Sequence, residues 1–164
     1  MIFVSVGTQL PFDRLVSAMD EWCGRSGAEA FAQISDVGSE GYRPKNMAWS
    51  SFLGPDDWDE RFAAADVVVA HAGMGTIISA LMAGKPIVIM PRSVAYNEHR
   101  NEHQVATAKR FEGRPGVHVA MDEFQLPKLV EVAVSQPPVG VQRLGRYADQ
   151  SLIETIRDFI ISTQ

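Results

Sequence analysis

One stretch of the sequence decides the fold, residues 66–90: DVVVAHAGMGTIISALMAGKPIVIM. Its two ends, 66–70 and 86–90, are short apolar runs rich in β-branched residues, which is typical of buried strands. Between them, residues 76–83 have the composition of a helix that Gly84 would end. Two buried strands joined by a helix are the repeating unit of a parallel sheet, so the stretch predicts an α/β protein.

The same alternation of strands and helices continues on both sides of this stretch. We predict further strands at 2–6, 30–35, 47–53 and 117–120, and helices at 12–22, 56–65, 99–111, 122–135 (capped by Asp122) and, after Pro137-Pro138, about 146–161. No internal repeat interrupts the pattern. We therefore expect residues 1–164 to form a single doubly wound, Rossmann-like domain.

Composition excludes several classes of function. The net charge is −5 and no basic run occurs, so nucleic acid is not an expected partner. The single cysteine, Cys23, excludes an internal disulfide and a cysteine-rich metal site. No stretch approaches the roughly 20 apolar residues of a membrane helix, and the apolar start is too short for a signal peptide. We expect a soluble, cytoplasmic protein.

Three loops are expected to form the ligand site. In a doubly wound sheet, ligands bind beyond the carboxyl ends of the strands. The loops that follow the predicted strands there are residues 7–11, 70–75 and 91–102. They also hold the least ordinary chemistry of the chain, with glycines in the first two and a crowd of polar side chains in the third.

The loop from His71 to Thr76 has the features of a phosphate site. The first turn of a helix has unpaired N–H groups and the positive end of the helix dipole. Gly73 and Gly75 would let a diphosphate approach the main chain, Thr76 would cap the helix, and His71 could donate a charge-assisted hydrogen bond. The alternative is an ordinary tight turn. Ile78 stands where a dinucleotide motif has its third glycine, which argues against that class.

These residues carry a resemblance. The segment HAGMGTIISALMAGKP, residues 71–86, resembles the donor-site segment of the C-terminal domain of glycosyltransferase family 28, and is similar to the signature box of plant UDP-glycosyltransferases. The likeness runs from VGTQLPFD (6–13) to EHRNEHQ (98–104). It is strongest to the small catalytic subunits of two-component transferases, namely bacterial PssE-like exopolysaccharide subunits and the cytosolic subunit of the dolichol-pathway N-acetylglucosamine transferase.

The resemblance implies the donor half of a GT-B glycosyltransferase and a set of UDP-binding residues. The residues that would hold the diphosphate are Gly7, Thr8, His71, Gly73, Met74, Gly75 and Thr76. Phe52 and Leu53 match a pair near the uracil, although ordinary core packing is an alternative for both. Ser79 stands where the family usually has an acidic residue that binds the ribose, so it can make only one of the two expected hydrogen bonds.

The polar loop matches the family's sugar-binding segment. The candidates there are Glu98, Asn101, His103 and Gln104, with His99 beside them; the family has an acidic residue followed by Gln, and here His103 replaces the acid. A solvated helix face is the alternative. His99 and His103 are four residues apart, a spacing compatible with zinc, but no helical His-Glu-x-x-His motif is present. We expect neither a metal nor a cofactor.

The implied activity is that of an inverting, two-component transferase. The chain would bind a UDP-sugar. A membrane-anchored partner would bind the lipid-linked acceptor, supply the general base and recruit the chain to the inner face of the membrane. Weaker candidates for the general base are His71 and Glu98. The apolar stripe of the last helix (Leu152, Ile153, Ile156, Phe159 and Ile160) would pack on its own domain or dock the partner. Alternatives are an epimerase of the same architecture and a non-catalytic UDP-sugar sensor or assembly subunit.

Overall fold

A computed structural model describes residues 1–135 and 150–162 of the chain. In this part, six parallel strands form one sheet and helices cover both faces. The strands are β1 (Ile2–Ser5), β2 (Ala30–Gln33), β3 (Ala48–Ser50), β4 (Val67–His71), β5 (Ile87–Met90) and β6 (Val117–Val119). The helices are α1 (Asp13–Ser26), α2 (Pro55–Ala64), α3 (Met74–Ala83), α4 (His103–Phe111), α5 (Leu126–Ser135) and α6 (Gln150–Ser162), with a 3₁₀ turn at Val94–Tyr96. The predicted α/β Rossmann-like fold is confirmed.

The order of the strands places a crevice in the middle of the sheet. The order is β3-β2-β1-β4-β5-β6, with Val4 in register with Val69 across the central pair. The helix after β1 packs on one face of the sheet, and the helix after β4 packs on the other. The chain therefore leaves neighbouring strands in opposite directions, which opens a crevice beyond their carboxyl ends.

Two apolar cores hold the helices on the sheet. On one face, Val4 and Val69 pack in a cluster with Leu15 and Met19 of α1. On the opposite face, Phe3 and Val68 belong to a second cluster, which contains the following buried residues of α3: Ile77, Ala80 and Leu81. The central strands are buried on both sides, and this is the reason that they read as continuous apolar runs rather than as alternating patterns.

Several predicted boundaries need correction. The first helix extends to Ser26, where Gly27 adopts the left-handed conformation that ends it. The strand predicted at 47–53 covers only Ala48–Ser50, because it is a solvent-exposed edge strand with one neighbour. The helix predicted from 122 begins at Leu126. Asp122 caps the preceding turn instead, with its carboxylate accepting hydrogen bonds from the backbone N–H groups of residues 124 and 125.

A buried carboxylate fastens the loop between β2 and β3. Asp20 of α1 is 1% exposed and accepts hydrogen bonds from the backbone N–H groups of Lys45 (3.0 Å) and Asn46 (2.7 Å) and from the Tyr42 hydroxyl (2.8 Å). Burial alone would raise the pKa of Asp20, but these hydrogen bonds hold it below its ordinary value. The carboxylate is therefore ionised and anchors residues 42–46 to α1.

The last described helix exposes its apolar side chains. Leu152 is 51% exposed and Ile156 is 50% exposed, whereas Ile153 is half-buried. Whether the stripe packs on its own domain stays a prediction. The predicted start of the helix at 146–149 and the preceding Pro137-Pro138 lie outside the described residues. Among the helices that the structure describes, none is both long and apolar enough to cross a membrane.

Candidate functional site

The three loops expected at the ligand site surround one cavity. Its volume is about 360 Å³, and it lies in the crevice beyond β1 and β4. All residues predicted to hold a diphosphate line it: Gly7, Thr8, His71, Gly73, Met74, Gly75 and Thr76. The structure thus brings together two glycine-containing loops that are more than 60 residues apart in sequence, as the strand order requires.

The first turn of α3 presents unpaired backbone N–H groups to this cavity. The helix begins at Met74 with Gly73 as its N-cap, so the prediction that Thr76 caps it is wrong, because Thr76 is already its third residue. The Gly73 N–H donates to the His71 carbonyl (2.7 Å). The N–H groups of Met74, Gly75 and Thr76 donate to no other described residue. Together they form an anion-binding helix terminus.

The loop between β1 and α1 is fastened through its carbonyl groups. The Gln33 side chain donates to the Gly7 carbonyl (2.9 Å), and the Ser35 hydroxyl donates to the Thr8 carbonyl (3.4 Å). Gly7 adopts φ +80, a conformation that favours glycine. The backbone N–H groups of residues 7–10 donate to no described residue. This loop therefore offers a second set of donors to the same cavity, with its acceptors turned to the protein.

His71 is packed between the two glycine loops. A methyl group on Gly73 would come within 2.2 Å of the His71 Nε2, and one on Gly7 within 3.0 Å of its Cε1. Its Nδ1 lies 3.4 Å from the Ser5 carbonyl. Burial and the nearby Arg92 lower the pKa of His71 to about 4. The imidazole of the unliganded protein is therefore neutral at pH 7. A hydrogen bond from its N–H to a phosphate stays a prediction, and it would be charge-assisted through the ionised acceptor.

The neutral, half-buried His71 makes stability depend on pH. The unfolded chain binds a proton at this residue below its ordinary pKa of 6.5, whereas the folded chain binds it only below about 4. Unfolding therefore becomes easier as the pH falls from 6.5 to 4, by up to about 3 kcal/mol at this site. Urea denaturation across this range should show the loss, and H71Q should remove most of it. Equal slopes for the two proteins would contradict this assignment.

Two of the predicted sugar-binding residues line the cavity. Gln104 is 4% exposed, and its Oε1 accepts a hydrogen bond from the Arg92 backbone N–H (3.1 Å). Its Nε2 has no acceptor among the described residues and can donate to a ligand. His103 lines the cavity too, and Asn101 supports it, since its Oδ1 accepts from the His103 backbone N–H (3.3 Å) and contacts the His103 ring Nδ1. Asn101 itself does not line the cavity.

Glu98, a predicted sugar contact, does not line the cavity. Its two carboxylate oxygens accept hydrogen bonds from the Arg14 guanidinium, each at 2.9 Å, and one also accepts from the Ser93 backbone N–H (3.0 Å). Arg14 binds Glu123 as well (2.8 Å). The carboxylate is thus committed to an ion-pair network that joins α1 to two loops, and a role as general base is not favoured.

The histidine pair does not have the geometry assumed for a metal site. His99 precedes α4, which begins at His103, so the two residues are not on one helix and the predicted helix start at 99 is wrong. Their rings meet edge to face, with centroids 4.4 Å apart. Within the described residues, no group of three or more potential metal ligands occurs. Both rings line the cavity and can instead donate hydrogen bonds.

Comparison with known proteins places this arrangement in a family. The model of the glycosyltransferase family 28 C-terminal domain matches residues 1–138. The chain belongs to this family. A curated relative of the family 28 chain is the UDP-N-acetylglucosamine–N-acetylmuramyl-(pentapeptide) pyrophosphoryl-undecaprenol N-acetylglucosamine transferase of Desulfotalea psychrophila, which is 26% identical over 121 residues. That alignment covers 66% of this chain and 31% of the relative, so the chain spans about a third of the curated protein.

Solved structures share the fold of this family 28 domain. Os79 from O. sativa, crystallised in complex with UDP, superposes with a TM-score of 0.67 at 16% identity, over 99% of this chain and 40% of Os79. MurG from Acinetobacter baumannii gives 0.66 at 17% identity, over 96% and 49% of the two chains. ALG13, solved by NMR, gives 0.56 at 18% identity, over 94% and 93%. The chain thus has the fold of one half of a GT-B glycosyltransferase.

The residues predicted to contact the nucleoside do not line this cavity of the family 28 domain. Phe52 and Leu53 follow the edge strand β3, and the Phe52 side chain is 63% exposed. Leu53 packs against the core on the α3 face. Ser79 is half-buried on α3. A uracil and ribose at these residues would extend from the cavity toward β3, and their roles remain predictions.

One residue of the cavity has a role that the sequence did not indicate. Arg92 follows β5, is 3% exposed and lines the cavity. From the sequence alone, an arginine in a loop crowded with polar residues is expected to be exposed to solvent. No signal in the sequence distinguishes a buried arginine from an exposed one at this position. Among the residues that the structure describes, the cavity lining contains this arginine and the three histidines His71, His99 and His103, but no Asp or Glu. In a chain with a net charge of −5, such a lining favours an anionic ligand.

Proposed function

We propose that the cavity binds the diphosphate of a UDP-sugar, and that the chain is the donor-binding catalytic subunit of an inverting glycosyltransferase. The observation that carries this proposal is the acid-free cavity, at which the unpaired N–H groups of α3 meet those of the loop 7–10. Two facing sets of donors with an adjacent cation suit a ligand that has two phosphoryl groups.

Family membership supports the choice of donor and acceptor. The curated relative is named as a transferase of N-acetylglucosamine from its UDP derivative to a pyrophosphoryl-undecaprenol. By analogy, we infer a UDP-sugar donor and a lipid-linked acceptor for this chain. We place the activity in exopolysaccharide biosynthesis because of the likeness of the segments at 6–13, 71–86 and 98–104 to subunits of that pathway.

The geometry suits stabilisation of the leaving UDP. In a direct displacement, the acceptor hydroxyl oxygen bonds to the anomeric carbon, and the bond from that carbon to the β-phosphate oxygen breaks with its electron pair. The N–H groups of Met74, Gly75 and Thr76 would stabilise the negative charge that develops on this phosphate. The acceptor proton passes to a general base, which we assign to the acceptor-binding partner. This chemistry needs no metal.

We propose that a second, membrane-anchored subunit completes the enzyme. The described residues provide the donor half of the GT-B architecture, and the acceptor half has to come from outside them. The exposed apolar stripe of α6, which includes Leu152 and Ile156, is our candidate for the docking surface. Such a partner would hold the chain at the cytoplasmic face of the membrane, next to its lipid-linked acceptor.

Calorimetry and a transfer assay test this function separately. We expect the purified chain to bind UDP and UDP-sugars, and to transfer sugar into a lipid-extractable product only with the membrane-anchored partner present. The variants L152E and I156E should bind UDP normally and lose transfer and co-purification with the partner. No binding of UDP or any UDP-sugar, with or without the partner, would overturn the proposal.

A non-catalytic UDP-sugar sensor or assembly subunit is the second candidate. The observation that favours it is Ser79, which cannot make the paired hydrogen bonds to ribose that an acidic residue makes. Binding of UDP-sugar without transfer in the presence of the partner would support this sensor. Transfer that S79E increases, through tighter binding of UDP-sugar, would support the enzyme and assign the ribose contact.

A further inference from the structure

Arg92 is a buried cation that fastens one wall of the cavity. Its guanidinium is held at the end of β5 and donates hydrogen bonds to three carbonyl groups of the facing loop: Val6 (2.9 Å), Leu10 (2.6 Å) and Pro11. Its planar group also stacks over the ring of Phe12, with 4.7 Å from Cζ to the ring centroid. A planar fork with several donors can hold three carbonyls at once, which an ammonium group cannot do in the same geometry.

These hydrogen bonds set the direction of the loop's other groups. The carbonyls of residues 6, 10 and 11 point to Arg92, and those of residues 7 and 8 point to Gln33 and Ser35. The N–H groups of residues 7–10 donate to no described residue. A loop whose carbonyls are held on the protein side presents N–H groups as the polar groups left for a ligand. Arg92 makes three of these five contacts.

Within residues 1–135 and 150–162, no carboxylate forms an ion pair with Arg92. The guanidinium hydrogen bonds seen there go to backbone carbonyls. The nearby acid is Glu98, but the Glu98 carboxylate is engaged by Arg14 and the Ser93 N–H. Burial lowers the pKa of Arg92 to about 10, so the guanidinium is charged at pH 7. A buried positive charge without a bound anion is costly in the free protein, and an anion in the cavity would relieve that cost.

Arg92 also joins the loop to the wall on the other side. Its backbone N–H donates to the Oε1 of Gln104, a residue of α4 that lines the cavity. The side chain and the main chain of one residue therefore connect the predicted phosphate-binding loop to the predicted sugar-binding helix. A change at this residue should affect both walls.

We propose that Arg92 is the positioning residue of the donor site: it orients the N–H groups of residues 7–10 toward a diphosphate and supplies the fixed positive charge that selects a doubly phosphorylated ligand. This inference rests on the proposed UDP-binding function. It predicts that the cavity discriminates UDP from uridine and UMP largely through Arg92. Gln33 offers a matched control, because it fastens the same loop through the Gly7 carbonyl without any charge.

Binding of UDP, UMP and uridine to four proteins tests this inference: wild type, R92M, R92K and Q33M. We expect R92M to weaken UDP binding by about 30-fold and uridine binding by less than about 3-fold, since only the phosphates sense the lost charge. Q33M should weaken UDP binding less than R92M does. Because Q33M keeps the Arg92 charge, its preference for UDP over uridine should depend on salt concentration as it does in the wild-type protein. R92K should retain part of the preference for UDP, with altered amide resonances for residues 7–10.

The pKa of His71, measured by NMR, tests the role of the Arg92 charge without any ligand. Because the Arg92 charge helps to lower the pKa of His71, NMR titration should show this pKa raised in R92M and little changed in R92K. If wild type does not bind UDP, the proposed function fails. If wild type binds UDP and R92M binds UDP as tightly, or loses UDP and uridine equally, the inference about Arg92 fails. Should R92M not fold, unchanged UDP affinity and unchanged loop resonances in R92K would equally overturn it.

Discussion

Replacing Gly73 with alanine is expected to reduce UDP binding by at least about 100-fold. The new methyl group would lie 2.2 Å from the Nε2 of His71, far inside van der Waals contact. His71 cannot shift freely, because its ring also lies against Gly7. The variant must therefore displace the imidazole, the start of α3 or both, at a cost of about 1–3 kcal/mol in stability. Calorimetric titration with UDP and urea denaturation measure the two effects.

Gly75 provides the matched control two residues further along. Apart from its chain neighbours and the backbone of its own helix, a methyl group on Gly75 meets no atom of the described residues within 4 Å. The φ angle of Gly75 is not positive, so alanine fits its backbone. G75A should therefore fold with unchanged or slightly higher stability, since alanine favours a helix over glycine by up to about 1 kcal/mol. Because the residue lines the cavity, the methyl group should still weaken UDP binding by about 10-fold. Normal UDP binding by both variants would place the diphosphate elsewhere.

Replacing Asp20 with asparagine is expected to destabilise the fold by about 3 kcal/mol. The carboxylate accepts hydrogen bonds from the backbone N–H groups of Lys45 and Asn46, from the Asn46 side chain and from Tyr42. An amide has one acceptor oxygen, and its NH₂ group would face donors inside a buried site. In wild type this contribution is present above the ordinary Asp pKa of 3.8 and is lost as the pH falls through the lower, folded value.

Two further variants check this assignment to Asp20. Y42F removes a single one of these hydrogen bonds and should cost about 1 kcal/mol. E21Q makes the same change of charge one residue away, on an exposed side chain, and should alter the free energy of unfolding by less than about 0.5 kcal/mol. Urea denaturation at pH 7 measures all three. A loss in D20N no greater than that in E21Q would contradict the anchoring role.

Periodicity and strand composition were sufficient to predict the sheet, for a physical reason. Parallel strands buried on both faces must be apolar throughout, and residues 67–70 and 87–90 are. The edge strand Ala48–Ser50 is mostly exposed, so its composition carries less information, and its length was overestimated. The start of α4 was misplaced because Glu98 and His99 continue the polar pattern of the helix. In the structure, Glu98 instead lies before the helix and forms an ion pair with Arg14.

The site could be predicted only in part, because sequence shows residue types and not the directions of their side chains. The glycine loops were found because backbone approach to phosphate requires small residues there. Asp20, Arg92 and the ion pair of Arg14 with Glu98 were not found. Each depends on side-chain hydrogen bonds to residues 22 to 86 positions away, which only the folded chain brings within hydrogen-bonding distance. The same long-range contacts commit Glu98 to the ion pair, at a position where the sequence predicted a sugar contact.

A crystal structure of the chain with UDP would test the central claim most directly. We predict that phosphate oxygens of UDP accept hydrogen bonds from the backbone N–H groups of Met74, Gly75 and Thr76, with the loop 7–10 closing on the second phosphate. Density for UDP anywhere else, or a diphosphate that contacts neither group of N–H donors, would contradict it.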